Sequence, residues 1–403
     1  MSRDQKLLIV LTVLLFLGIG VLRGFGYDMG SAATSNLTKI HPSSYFILLI
    51  TFFNSKKILK VAKAYHNSVW YGLLLIVLIF IYLAFTNNLT SVSFIIDTLL
   101  SPMLILLNFK LVSNEGKLKA QKLALNLILI NSIMAIIERA INYNFLPITT
   151  TYGEVFRSTA LLGHPLNNAL ITCVFILFTL LSKMKLLRKS IYLTIMLAAL
   201  VCYGARGALY TSFAALVLLF VLPAYFSRGI YFRKLNKAAL TFLVGAIVVA
   251  ISYLIFFTPF GERLVQVSFF DDSAAVRVQS IDLIDWDNLS GYFFAKTQKE
   301  VDSMMYMEGV NIIENFFVGW ILKFGIIIAV LLVVFYYRMF ISTMVISKRI
   351  MRHLVIVLFF AAASTNNSLV TGTQVMSLFV LMFCSISNRS GSFESIKVNS
   401  NRN

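Results

Sequence analysis

The chain has 403 residues, of which 59% are hydrophobic and 13% are charged, and its formal net charge is +18. A soluble domain carries about a quarter charged residues, so the composition excludes an ordinary soluble protein. The charge does not indicate nucleic-acid binding, because the basic residues stand in short clusters between apolar runs, as they do in membrane proteins. We therefore expect a helical membrane protein that binds no nucleic acid.

Apolar runs of about 17 to 25 residues, long enough to span a bilayer, recur along the chain. They predict an all-α fold, a polytopic transmembrane helical bundle of about 12 spans. The first run is interpreted as an uncleaved span, because no small-residue cleavage site follows it directly. The predicted spans lie near 5–23, 40–54, 69–85, 93–112, 123–141, 159–182, 191–205, 208–226, 238–257, 312–339, 354–364 and 369–386.

The basic residues predict the orientation of the bundle. Most Lys and Arg residues fall in loops on the side of the N-terminus, and the positive-inside rule assigns that side to the cytoplasm. Both termini are then cytoplasmic. The prediction divides the chain into spans 1–9 over residues 1–257, an extracytoplasmic loop over 258–311, spans 10–12 over 312–387 and a cytoplasmic tail over 388–403.

The 258–311 loop is the long polar segment of the chain and holds nine of its 17 acidic residues. It is expected to contain short amphipathic helices, one of them near 274–286 with Arg277 facing polar surroundings. Asp271 and Asp272 fit a helix N-cap, whereas a lone acidic pair is a weak signal for a metal site. Because the loop faces away from cytoplasmic nucleotides, its substrates must arrive already activated.

Arg206 stands in a tight turn, Tyr203-Gly-Ala-Arg-Gly207, between the seventh and eighth predicted spans. The guanidinium is planar, always charged and suited to phosphate, so the position favours anion binding. The alternative is an arginine that marks the membrane interface and does nothing else. Arg263 lies on the same predicted side and is a further candidate for substrate binding.

A second polar stretch, from Arg157 to Ala169, lies at the entrance of the sixth predicted span. His164, Asn167 and Asn168 place polar groups at membrane depth, where they are expensive and usually face a cavity or the bundle interior. These residues either face a substrate or form a satisfied hydrogen-bond cluster between helices.

Glu314 is predicted at the outer membrane edge, beside apolar side chains, where partial desolvation suits a carboxylate to general acid–base work. The alternative is an ordinary acid that complements a helix dipole. Glu138 and Arg139 are expected to form a local structural pair. Asp97 is an acid within an apolar run for which the sequence offers no partner.

Three segments resemble the bacterial O-antigen polymerase and O-antigen ligase superfamily, the Wzy-like membrane glycosyltransferases. They are the 157–169 stretch with Gly-His-Pro-Leu-Asn-Asn-Ala, the Gly-Ala-Arg-Gly turn at 204–207, and the late outer loop with Arg277 that closes in Glu314-Asn315 and Gly325. The resemblance implies a GT-C-like helical fold. It also implies a substrate of undecaprenyl-diphosphate-linked oligosaccharide repeats on the outer face of the membrane.

By position, the resemblance matches Arg206 and Arg277 to arginines that hold the donor pyrophosphate. Glu314 falls where the ligases usually carry a histidine that serves the acceptor, which weakens a ligase assignment. The candidate residues are, for catalysis, Glu314, Arg206 and Arg277, and, for substrate binding, Arg157, His164, Asn167, Asn168 and Arg263. Neither a metal nor a cofactor is expected, because the donor carries its own leaving group.

The leading hypothesis is a polysaccharide polymerase of the bacterial cytoplasmic membrane, making O-antigen, capsule or exopolysaccharide. It would transfer a growing glycan from undecaprenyl diphosphate to the next lipid-linked repeat. The expected partners are that lipid-linked oligosaccharide, membrane lipid, a chain-length regulator and a flippase. The alternatives are an O-antigen ligase, a membrane assembly protein, and a flippase or transporter, for which the chain lacks the usual internal repeat.

Overall fold

The computed structural model describes residues 2–27, 29, 38–64, 66–85, 92–146, 156–222, 237–265, 279–310, 312–344, 346 and 348–383. These residues form an all-helical fold and include no β-strand, as the sequence predicts. In the first part of the chain the helices are α1 (Arg3–Leu14), α2 (Ile19–Gly24), α3 (Pro42–Phe53), α4 (Ser55–Ala64), α5 (His66–Phe85), α6 (Phe94–Leu111) and α7 (Asn114–Ile141). In the second part they are α8 (Pro165–Leu181), α9 (Leu186–Tyr203), α10 (Arg206–Val221), α11 (Lys237–Phe257), α12 (Pro259–Val265), α13 (Gln298–Met307), α14 (Phe316–Phe324), α15 (Ile326–Thr343), α16 (Arg349–Ala363) and α17 (Val375–Phe383).

Four of the described helical stretches are long and apolar enough to cross a membrane: α6, α7, α9 and the continuous stretch α14–α15. A fifth is obtained if 241–257 and α12, which meet at 80°, count as one broken span. The helices α3, α5, α8 and α10 contain shorter apolar stretches of 10 to 17 residues. The total of about 12 spans stays a prediction.

Helix α5 carries an exposed apolar stripe on the outer surface of the bundle. Trp70, Leu74, Val77 and Ile81 recur at helical spacing and are all exposed. A continuous exposed apolar stripe of this kind is unfavourable in water and typical of a surface that contacts lipid.

Helices α8 and α17 form the centre of the bundle. Residues 168–180 and 375–383 are buried without interruption, and the rings of Phe178 and Phe383 meet edge to face with centroids 5.9 Å apart. A helix that is apolar all round is stable only where other helices surround it. The sequences of α8 and α17 carry no charged residue, which suits both helices to this central position.

Two glycines explain where helices break. The predicted first span, near 5–23, is divided into α1 and α2, and a Cβ at Gly18 would lie 2.2 Å from the carbonyl oxygen of Leu161. Between α14 and α15, Gly325 has φ +84° and ψ 159°, and a Cβ there would lie 2.4 Å from the carbonyl oxygen of Phe293. At both positions another segment of backbone approaches too closely for a side chain.

The described part of the predicted 258–311 loop packs on α14. Leu283, Ile284, Tyr292 and Val310 bury their side chains against Val318 and Leu322 in a small separate cluster. Within this loop α13 begins with a capping box, in which Thr297 accepts from the Glu300 N–H. The predicted amphipathic helix at 274–286 falls partly outside the described residues.

Candidate functional site

Glu138, in the last turn of α7, organises a loop at the place where the ends of several helices meet. Its Oε2 accepts from the backbone N–H groups of Thr159 and Ala160, each at 2.9 Å, and its Oε1 accepts from Phe145 N–H at 3.1 Å. The carboxylate is fully buried. It therefore fixes the 156–164 loop by accepting from backbone N–H groups. Such contacts cannot be recognised from the side chains in the sequence.

Arg139 ties this loop to α12. Its guanidinium donates to the carbonyl oxygens of Phe156, at 2.7 Å, and of Pro259, and lies 3.3 Å from a carboxylate oxygen of Glu262. The local Glu138–Arg139 pair that we expected is thus not formed. Consecutive residues on a helix do not face each other, so each side chain finds a partner on a different segment.

Asn168 lies in a hydrogen-bond cluster that joins three helices and the 156–164 loop. Asn131 Nδ2 donates to Asn168 Oδ1 and to the Tyr203 hydroxyl, both at 2.9 Å, and Asn131 Oδ1 accepts from Leu161 N–H at 2.9 Å. Asn168 Nδ2 donates in turn to the carbonyl oxygens of Thr159, at 2.6 Å, and His164. Every polar atom of the Asn168 amide is engaged inside the protein, which favours a structural role for this residue.

His164 precedes α8 and caps it, since its Nδ1 accepts from the Asn167 N–H at 3.5 Å. The imidazole is partly buried at this position, and its ring nitrogens can exchange hydrogen bonds with a neighbouring group.

Two neighbouring candidates keep unused hydrogen-bonding capacity. Within the part of the chain that the structure describes, the Asn167 side-chain amide forms no hydrogen bond. Arg157 forms neither a hydrogen bond nor an ion pair there, although its Nε is buried. A buried guanidinium nitrogen without an acceptor costs free energy. Arg157 and Asn167 are therefore better placed than Asn168 to contact a bound ligand.

Arg206 begins α10, and the turn before it brings a second arginine close. Arg206 Nη2 donates to the backbone carbonyl oxygen of Arg263 at 3.1 Å. Gly204 has φ +64°, and a Cβ there would lie 2.6 Å from Cδ of the Arg263 side chain. The glycine thus lets the Arg263 stem pack directly on the turn. Two arginines that are 57 residues apart in sequence come together in this way.

The loop between α16 and α17, residues 364–374, links this turn to two other parts of the bundle. Thr365 packs against Gly207, where a Cβ would lie 2.3 Å from its side chain. Leu369 accepts from the Trp320 indole N–H at 2.9 Å, and Thr371 accepts from the Thr98 hydroxyl at 2.8 Å. The 364–374 loop is therefore held by α10, α14 and α6 together.

Glu314 lies two residues before the first residue of α14 and is half-buried. The helix itself is capped by the next residue, because Asn315 Oδ1 accepts from the Phe317 N–H at 2.9 Å. Glu314 is thus not the capping group of this helix. Arg277, Asp271 and Asp272 lie outside the described residues.

Asp97 is a buried acid whose partners sequence reasoning missed. Its two carboxylate oxygens accept from the His41 backbone N–H at 3.2 and 3.1 Å, so it binds the first turn of α3. The His41 imidazole bridges Ser43 Oγ at 2.7 Å and the Leu17 carbonyl oxygen at 2.8 Å. The sequence contains one indication of this contact. The residues from His41 to Ser44 are mostly polar although they begin an apolar helix, which is consistent with a polar partner such as Asp97.

Within the described residues, no three His, Cys, Asp or Glu side chains come together in a way that could hold a metal ion. Comparisons with known proteins give no similarity to report. No protein-family model, no curated protein and no solved structure matches the chain.

Proposed function

We propose that this protein is a polysaccharide polymerase of the bacterial cytoplasmic membrane. It transfers a growing glycan from undecaprenyl diphosphate to the next lipid-linked repeat unit on the outer face. The observation that carries the proposal is the position of Arg206 and Arg263, which a glycine turn brings together at the polar ends of the helices.

The proposed topology has twelve passes, with both termini in the cytoplasm. Around the candidate site α7 ends, α8 begins, α9 ends and α10 begins, so these neighbours alternate in direction. That alternation, together with the positive-inside distribution of Lys and Arg, supports an extracytoplasmic position for the site.

In the proposed reaction, a hydroxyl oxygen of the acceptor sugar forms a new bond to the anomeric carbon of the donor glycan. The bond from that carbon to the pyrophosphate oxygen breaks, and undecaprenyl diphosphate leaves with the bonding electron pair. Arg206 and Arg263 stabilise the negative charge that develops on the leaving group, with Arg277 as a further candidate. Glu314 accepts the proton of the hydroxyl group.

The remaining candidates have different proposed roles. Arg157 and Asn167, which have spare donors, contact the glycan or its phosphate, and His164 exchanges hydrogen bonds with the sugar. Asn168 holds the 156–164 loop in place. Cleavage of the bond between the donor sugar and its pyrophosphate supplies the driving force, so the proposal includes no nucleotide.

The test is the length distribution of surface polysaccharide in cells that carry Arg206→Ala. We expect single repeats in place of long chains, with an unchanged amount of protein in the membrane. The matched control is Arg188→Ala, an exposed arginine whose described contact is with the Tyr192 hydroxyl in the same helix, and it should keep long chains.

The other outcomes decide against the proposal. Loss of all surface glycan, with lipid-linked repeats retained inside the cell, would identify a flippase. Long chains of normal length in Arg206→Ala would show that this arginine only marks the membrane interface, and the polymerase would then lack its main support.

A further inference from the structure

Lys323, in the last turn of α14, is a cation with few partners. Its Nζ donates to the carbonyl oxygen of Val370 at 3.4 Å and lies 5.8 Å from the ring centroid of Phe324. Within the described residues, no carboxylate is within ion-pair distance of this ammonium. A protonated lysine has three N–H donors, so its capacity exceeds what these contacts use.

Lys189 provides a comparison within the same molecule. It is 2% exposed, and its Nζ donates to the carbonyl oxygens of Leu180 at 3.0 Å and Ser182 at 2.8 Å. It also lies 4.6 Å from the ring centroid of Phe220. These contacts close the C-terminal end of α8, so Lys189 has a structural role. Among the described residues, Lys323 donates to one carbonyl oxygen, that of Val370.

A partly buried cation without compensation is unfavourable unless a ligand supplies negative charge. The 364–374 loop, which provides the single carbonyl partner of Lys323, also holds Ser368. The Ser368 hydroxyl group is buried, with the residue 2% exposed, and it has no hydrogen-bond partner in the described part of the chain. A second unused polar group thus lies in the loop that contacts Lys323.

The 364–374 loop contacts both the turn of the paired arginines and the helix of Lys323. Its first part, at Thr365, contacts the turn that carries Arg206, and its later part, at Val370, packs on Gly319 of α14 and accepts from Lys323. Arg206 thus lies near Thr365 and Lys323 near Val370, two different residues of this loop. Two cationic positions can hold two anionic groups at the same time.

We propose that Lys323 binds the phosphate of a second lipid-linked ligand, separate from the one held by Arg206. This inference rests on the proposed function, in which donor and acceptor both carry a lipid pyrophosphate and the donor's is displaced. Lys323 binds the pyrophosphate that stays intact, through a charge-assisted hydrogen bond. An anionic phospholipid headgroup offers the same chemistry, so the test must distinguish the two.

The test measures ligand binding to the purified full-length protein in neutral detergent, without turnover. The probes are farnesyl diphosphate, inorganic pyrophosphate and phosphatidylglycerol. In Lys323→Gln we expect one farnesyl diphosphate site to weaken about ten-fold, as expected for the loss of one charge-assisted hydrogen bond. Lys323→Arg keeps the charge and should retain the site. This variant can be measured even if Lys323→Gln fails to fold.

The controls separate this inference from the proposed reaction. Lys189→Gln should lower the melting temperature without changing the affinity, whereas Arg206→Gln should weaken a different site and leave the Lys323 site intact. Unchanged affinity in a folded Lys323→Gln protein would overturn the inference. Displacement of farnesyl diphosphate by an equal concentration of phosphatidylglycerol would also overturn it, because the ligand would then be membrane lipid. Neither result affects the Arg206→Ala polysaccharide test.

Discussion

At the scale of single residues, the charged and polar groups of the candidate site fall into two kinds. Glu138, Arg139 and Asn168 are satisfied by groups inside the protein, and most of their partners are backbone atoms. Arg157 and Lys323 are not satisfied to the same degree within the described residues. The first kind shapes the site, and the second kind is available for a ligand.

Replacing Glu138 with glutamine tests the structural role. The change removes the charge that strengthens three backbone hydrogen bonds and places an N–H₂ group against at least one N–H donor. We expect a loss of about 2 kcal/mol in the free energy of unfolding, the size typical of hydrogen bonds to a charged group. Thermal unfolding in detergent measures it.

The control for Glu138 is Glu115→Gln, which removes an exposed carboxylate paired with Lys119 at 2.6 Å one turn along α7. Exposed pairs of this kind contribute little, and we expect no measurable change in the melting temperature. Equal melting temperatures for both variants would show that Glu138 does not hold the 156–164 loop.

At the scale of elements, helix boundaries are set by contacts that hydropathy does not report. The predicted span at 159–182 begins at Pro165 in the structure, because proline fits the first turn of a helix and His164 caps it. The predicted span at 123–141 extends back to Asn114, where Ser113 caps the helix. Apolar run length located both helices, and capping residues determined where they begin.

Replacing Gly325 with alanine tests the break between α14 and α15. The backbone there, at φ +84° and ψ 159°, is accessible essentially to glycine alone, and a Cβ would meet the Phe293 carbonyl oxygen at 2.4 Å. We expect a lower melting temperature, with a cost of about 1 to 3 kcal/mol from the backbone strain alone. Loss of long polysaccharide chains should accompany it, because Lys323 lies two residues away.

Gly245→Ala is the matched control, since Gly245 lies inside α11 and an added Cβ meets nothing within 4 Å. Alanine is the better helix former, so this variant should be as stable as the wild type or more so. If Gly325→Ala behaves like Gly245→Ala, the close approach of Phe293 is not a feature of the folded protein.

At the scale of the whole molecule, the sequence predicted the class and the helices better than the site. Arg206 could be singled out because glycines flank it, and the structure shows why Gly204 is needed beside Arg263. The partners of Asp97 and Glu138 could not be predicted, since both residues bind backbone N–H groups of distant segments. The sequence does not distinguish Lys323 from Lys189, because the difference lies in the backbone carbonyl groups that accept from each ammonium group.

The proposed orientation is tested with single cysteines. Cys173 and Cys202 are buried, and Cys384, which lies outside the described residues, is replaced by serine, so introduced thiols at exposed positions can be detected. We expect Ser290→Cys to react with a membrane-impermeant maleimide in intact cells, and Lys183→Cys to react only after lysis. The reverse pattern would place the candidate site in the cytoplasm and remove the topological basis of the proposed function.

The long reach of the 364–374 loop has a consequence for how the protein is made. The hydrogen bond between Thr98 and Thr371 joins residues that are 273 positions apart in the sequence. The hydrogen bonds of Trp320 and Lys323 also require this loop as their acceptor. Ribosomes add about 5 to 20 residues per second, so α6 exists for many seconds before its partner is synthesised. These contacts of Thr98, Trp320 and Lys323 therefore form near the end of translation, and a nascent chain that stalls before α16 would lack all of them.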